Sequence, residues 1–439
     1  MARARLLLAM TAAIGLAGAG PAPAQQSGAA SQSAAAQSPF ATAFEAVGRG
    51  DPVPAERMLG AGAAGNEAVL LRARLAAAGY RAMPHRDSEL ARIASSGSAS
   101  ERRAALTVMS SAAFSAGDYG AAADAAGRLA AQLGAEGDQG AAGAERTRQV
   151  AAILAANPAQ RPDGAVALQA VPLRYDAVGL PRIDVSLNGA VQNAVVDTGA
   201  NLSVLSAETA RRLGIAVRSG EGRVGNAAGG TVPVRTGVAD RLTIAGTTLR
   251  NVPFLIIDDA ELTFAAAGGY RIQAIIGLPV LRALHRIRID AGQFAVEAAQ
   301  PFDPARQSLY ADGNDIFLRV EVGGRTVPLL LDTGANRSHL SALFAAAHPD
   351  VVAGLDRAEQ QVASAGGQRR TDAVLWRDPT VAVAGRSISL PGISIALPAA
   401  EAASPRNYGT VGSDVLRRLG SYAIDFRAMR VEAAAPAAR

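Results

Sequence analysis

Apolar residues in the region 40–156 recur at intervals of three and four within a background of Ala, Arg, Glu and Leu, and glycines and short polar breaks interrupt them. That spacing places one side of a helix against a core, and it predicts helices over 41–47, 67–78, 87–94, 100–116, 119–133 and 144–155. The stretch 157–164 holds Pro158, Pro162 and an Asp163-Gly164 pair, which stop regular structure, so 157–170 reads as a linker. Beyond it the period changes. Short β-branched runs at 182–187, 191–196, 231–235, 242–244, 252–257 and 287–289 alternate with Gly, Asn, Asp and Pro. Alternating faces bounded by turn residues predict a mainly-β region, which divides into a first lobe, 171–300, and a second, 301–439.

The beginning of the chain follows neither pattern. Arg3 and Arg5 precede an apolar run over 6–19, and Ala22-Pro23-Ala24 supplies small residues before Gln25. This order predicts a signal peptide over 1–24 and export to a bacterial periplasm or to the medium, with no membrane attachment after cleavage. The run is short for a membrane span, and an uncleaved anchor is the alternative. Residues 25–39, mostly Gln, Ser, Ala and Pro, read as a flexible leader.

Composition narrows the chemistry. The chain has no cysteine, which excludes disulfides, thiol catalysis and cysteine metal sites. His85, His285, His339 and His348 lack zinc-ligand spacing, so neither a metal nor any other cofactor is expected. The net charge of +5 is carried by arginines without lysine, and they are scattered rather than clustered. A nucleic-acid partner is therefore not expected.

The mainly-β region repeats itself. Asp197-Thr-Gly-Ala-Asn and Asp332-Thr-Gly-Ala-Asn each follow an apolar run and lie 135 residues apart. Ile275-Ile276-Gly277 and Thr410-Val411-Gly412 keep the same offset, as do Ile289-Asp290 and Ile424-Asp425. Between these landmarks, Gly229-Gly230 corresponds to Gly366-Gly367 after a drift of a few residues. A register that drifts and returns is what two copies of one fold with compensating loop changes produce.

Each Asp-Thr-Gly puts a carboxylate at the end of a buried strand on a tight loop. Glycine permits the turn, and the threonine hydroxyl can hold the loop by hydrogen bonds. If the lobes pack about a pseudo-twofold axis, Asp197 and Asp332 meet there. Two carboxylates a few ångströms apart resist double ionisation and share a proton. One can then take a proton from water while the other donates to the carbonyl under attack.

With these motifs the sequence resembles the pepsin and retropepsin-like aspartic proteases, in particular exported bacterial members. The resemblance covers the chain from about Val171 to its end. It implies a mainly-β fold of paired acid-protease lobes acting on a peptide or protein substrate as an endopeptidase. It implies that Asp197 and Asp332 are catalytic, and that Thr198, Gly199, Thr333 and Gly334 interlock the two loops. It further implies that Ile276, Gly277, Val411 and Gly412 form the hydrophobic-Gly element behind them, and that Gly229, Gly230, Gly366 and Gly367 mark two flap tips. Two departures stand out: the first flap has no tyrosine, and Leu278 and Ser413 replace the arginine that retroviral members carry after the glycine. The segment 112–131 resembles a tetratricopeptide-type helical hairpin, which makes the N-terminal helices a candidate protein-binding surface. Asn201, Asn336, Ser206 and Ser341 suit turns and caps. His339 has Val204 as its counterpart and is not expected to act as a base; Trp376 suits the core. Two alternatives accompany the endopeptidase reading: an inactive protease fold that binds peptides or partner proteins, and a protease whose N-terminal helices are a propeptide or targeting domain.

Overall fold

The computed structural model describes residues 6–10, 14–15, 38–83, 85–264, 269–290, 292–398 and 406–433; for 6–10 and 14–15, backbone only. The start of the predicted signal peptide, its cleavage site and all but the end of the leader lie outside these residues.

Seven helices occupy residues 39–155: α1 (Pro39–Gly48), α2 (Val53–Gly60), α3 (Gly65–Ala78), α4 (Arg86–Ser96), α5 (Ala99–Ala116), α6 (Tyr119–Ala135) and α7 (Ala141–Ala155). Their ends follow from local chemistry. Ser98 and Glu101 form a reciprocal capping box at the start of α5. Gly117, at φ 80°, ends that helix in the left-handed region, and the Asp118 side chain caps α6. Phe114 and Tyr119 meet edge-on across this turn, with ring centroids 5.2 Å apart. The helix α2 is absent from the sequence expectation; Pro52 stands at its N-cap and Pro54 in its first turn, where the missing N–H costs nothing. Phe40, Val47, Leu70, Leu71, Leu90 and Ile93 form the centre of this helical core.

The β region forms two lobes with the same internal wiring. In the first, Pro181–Leu187 pairs antiparallel with Ala190–Val196, which runs parallel to Ala274–Ile276. In the second, Asp315–Val322 pairs antiparallel with Arg325–Leu331, which runs parallel to Gly409–Val411. Long hairpins project from each: Val217–Asn226 with Thr231–Ile244, and Asp356–Ser364 with Gly367–Trp376. The lobes are tied at their ends, where Arg286–Ile289 pairs antiparallel with Tyr422–Asp425. One apolar core, including Val185, Phe254, Leu281, Leu318, Phe344 and Ile424, runs through both.

The predicted linker is partly ordered by the first lobe: Arg161–Pro162 pairs with Leu249 and Arg250. The helices are seated on both lobes. Arg74, buried, makes a two-pronged ion pair with Asp312 at 2.8 and 2.9 Å. Tyr80 donates to Gly313 O at 2.9 Å. On the other side α7 lies against the first hairpin, where a side chain on Gly220 would meet Ile153 at 2.9 Å. Val150 and Leu154 share an apolar cluster with Val224, Val232 and Val234 of that hairpin.

Candidate active site

The two Asp-Thr-Gly-Ala loops meet at the centre of the β region. Each begins where an interior strand ends: Asp197 N donates to Ile276 O at 3.0 Å and Asp332 N to Val411 O at 3.1 Å. Ala194–Val196 and Leu331 are buried, so the strand that delivers each carboxylate has no freedom to retreat from the core.

The threonines join the loops reciprocally. Thr198 Oγ1 donates to Leu331 O at 2.7 Å and accepts from Thr333 N at 3.1 Å. Thr333 Oγ1 donates to Val196 O at 2.7 Å and accepts from Thr198 N at 3.0 Å. All four bonds are buried and cross between lobes, so the position of each aspartate is fixed by the other lobe.

The glycines have a different reason from the one expected. Neither Gly199 nor Gly334 has a positive φ, so the turn itself does not demand glycine. Each instead faces the opposing carboxylate: a Cβ on Gly199 would lie 2.6 Å from Asp332 Cγ, and one on Gly334 would come closer still to Asp197. Glycine is the residue that lets the two carboxyl groups approach.

Asp197 and Asp332 are 0% and 2% exposed. Asp197 Oδ1 accepts from Gly199 N at 2.8 Å and Ala200 N at 3.1 Å. Burial, and after it the Asp332 charge, push the Asp197 carboxyl well above the ordinary carboxylate range, against the pull of these amides. The pair therefore resists losing both protons.

Behind the loops, the hydrophobic-Gly elements lie where the sequence put them. Leu278 N donates to Ala200 O at 2.9 Å and Ser413 N to Ala335 O at 2.7 Å. A Cβ on Gly277 would strike Leu202 C at 2.6 Å, and one on Gly412 would strike Ala335 O at 2.8 Å. Two supporting residues were missed from the sequence. Ser203 Oγ accepts from Gly277 N at 3.0 Å, and Ser338 Oγ accepts from Gly412 N at 2.9 Å. Their recurrence at the common spacing of 135 was the available signal. Ser206 and Ser341 are helix caps, as expected.

The hairpins carrying the paired glycines turn at 227–230 and 365–366 and touch at their tips. Asn226 Nδ2 donates to Ala365 O at 2.8 Å, and Ala227 N to Ser364 Oγ at 3.2 Å. Gly229 and Gly366 occupy the left-handed region at φ 85° and 77°. Two short stretches of the chain's own N-terminal region pair with the edges of these hairpins. Leu6–Met10 pairs parallel with 359–363, and Ile14–Gly15 pairs antiparallel with 225–226. His339 lies apart from the chemistry, its pKa pushed down to about 4 by burial. Trp376 packs against the turn at Gly323 in the second lobe.

Residues 183–280 match the model of the aspartyl protease family. The first lobe is thus similar to the aspartyl proteases. The match spans the Asp197 loop, the first hairpin and the element at Gly277. Among solved structures, this chain is similar to a retropepsin-like aspartic protease from Rickettsia conorii, at 19% identity and a TM-score of 0.24, over 30% of this chain and 91% of that one. No curated protein matches the sequence.

Proposed function

We propose that this aspartyl-protease-family chain is an exported endopeptidase in which Asp197 and Asp332 share one proton and activate a water between them. The observation that carries the reading is the pair of buried carboxyls held face to face by reciprocal threonine hydrogen bonds, with glycine opposite each. The ionised member takes a proton from water, whose oxygen attacks the peptide carbonyl carbon. The protonated member gives its proton to the carbonyl oxygen. The tetrahedral diol then collapses, the C–N bond breaks, and the amine leaves with a proton returned through the dyad. The products are a new carboxyl and a new amino terminus, and no covalent enzyme intermediate forms.

Substrate binds extended beneath the paired hairpins, which act as flaps and supply main-chain hydrogen bonds from their edges. The N-terminal segment supports this part of the reading, because it pairs with both of those edges. Export, read from Arg3, Arg5 and the run that follows, would remove that segment and clear the cleft. The test is a mixture of unrelated peptides incubated with the chain lacking residues 1–24, from about pH 3 to 7, with cleavage sites read by mass spectrometry. Internal cleavage with an acid-to-neutral optimum supports the proposal. Intact peptides throughout, from a protein shown to be folded, refute it.

A further inference from the structure

Each lobe carries an arginine five residues after the glycine of its hydrophobic-Gly element, and the two have different surroundings. Arg282, in the first lobe, is engaged by the helices: it donates to Ser115 O in the last turn of α5 at 2.9 Å and lies 3.7 Å over the Tyr80 ring. Around it, Asn314 donates to Asn201 O at 2.9 Å, and Ser111 covers Gly313. The helical region thus holds the Arg282 guanidinium, at the wall of a cavity of about 460 Å³ that Tyr80 and Ser115 also line.

Arg417 occupies the matching place in the second lobe, and among the described residues none of α1 to α7 lines its cavity. Its guanidinium lies 4.4 Å over the Tyr175 ring, at the wall of a cavity of about 650 Å³. Arg337, Arg418, Gly179 and Asn336 complete the part of the wall that matters here. The cavity's one carboxylate, Asp414, is held by Ser338 N and Oγ at 2.8 and 2.6 Å. Among the described residues none of the three exposed arginines forms an ion pair, so three guanidiniums and one carboxylate leave the lining at +2. Arg337 stands five residues beyond Asp332, so a peptide extended from the dyad at about 3.3–3.6 Å per residue reaches the cavity within about five residues.

We propose that this cavity is a substrate subsite for a carboxylate, an acidic side chain a few residues from the scissile bond, and that α5 and Tyr80 hold the matching arginine of the other lobe away from that role. Acid recognition is then one-sided: the two lobes share a plan, but Arg282 is taken up by Ser115 and Tyr80, while Arg417 stands with Arg337 and Arg418. This rests on the endopeptidase reading.

The test uses a peptide cleaved by the chain lacking residues 1–24, remade with Glu or Gln at each of about six positions either side of the cleaved bond. kcat/KM is measured at about 20 mM and 200 mM salt, and the same pairs are titrated onto the Asp332→Asn protein by fluorescence anisotropy. The expected result is a preference for Glu of about fivefold, the scale of exposed charge pairs, on one side of the bond only. It shrinks at the higher salt and falls to about one in Arg337→Gln combined with Arg418→Gln; both arginines are exposed, so folding is not at risk. Equal rates for Glu and Gln at every position, or a preference that survives the double substitution, overturn the subsite and leave the protease reading standing. If no peptide is cleaved, the protease reading fails, and the subsite that rests on it is overturned with it.

Discussion

Replacing Thr198 by Val keeps the side chain's shape and removes its hydroxyl. Two buried groups lose their partner, Leu331 O at 2.7 Å and Thr333 N at 3.1 Å. Both belong to the other lobe, and neither can reach water. Leaving a buried polar group unsatisfied costs about 1–3 kcal/mol, so the substitution costs about 2–6 kcal/mol, offset by roughly 0.8 for the methyl that replaces the hydroxyl. That is a large share of the 5–15 kcal/mol or so that separates a folded domain from its unfolded chain. Urea unfolding can read the effect across the interface, because the single tryptophan, Trp376, lies in the second lobe while the substitution lies in the first. The Trp376 fluorescence midpoint should fall. Thr333→Val should behave alike, and the double variant should depart from additivity by about 0.5–3 kcal/mol, since each hydroxyl accepts the other threonine's N–H. A loss below about 0.5 kcal/mol, or a Trp376 transition unmoved by Thr198→Val, would refute the claim that these hydroxyls hold the lobes together.

Gly334→Ala forces a methyl into the Asp197 carboxyl and should abolish cleavage while costing about 1–3 kcal/mol in urea unfolding, the usual range for overpacking; retained activity would contradict the close approach of the loops. Asp315 is pushed up to about 7 from 3.8, by burial first and by Asp312 second. Its folded form keeps a proton that the unfolded chain has lost, so its stability contribution is present at low pH and disappears as pH rises from about 4 through about 7. Asp315→Asn should therefore flatten the fall of the thermal midpoint across that window, and an unchanged slope would count against this origin. Arg74→Met leaves Asp312 without its buried partner and should cost about 2–4 kcal/mol, below the full cost of breaking a wholly buried pair because Asp312 is partly exposed. Limited proteolysis in 157–164 should then speed up as the helices loosen; an unchanged rate would mean that Arg74 does not seat them.

What the sequence made legible is what repeats. Asp197 and Asp332, their threonines, and the elements at Gly277 and Gly412 each appear twice at one spacing, and a repeated residue that packs on an axis meets its own counterpart. The role of Gly199 and Gly334 was misjudged, because their need arises from the opposite lobe and not from their own turn. The helix α2, eight residues long with Pro52 and Pro54 at its start, did not enter the expectation. The seating of the helices left no local trace: Arg74 and Asp312 are 238 residues apart, and neither has a neighbour in sequence that marks it. The different uses of Arg282 and Arg417 could not be read either, since the same residue at the same spacing is held by Ser115 and Tyr80 in one lobe and stacks on Tyr175 in the other.

The central claim is that the two aspartates act as one unit. Asp197→Asn and Asp332→Asn, each made singly and checked for an intact fold, should be assayed against a peptide that the unmodified chain cleaves, across about pH 3 to 7. Each should abolish cleavage at every pH, because an amide can neither take the proton from water nor share one with its neighbour. Full activity in either variant would contradict the shared dyad and assign the hydrolysis to other residues.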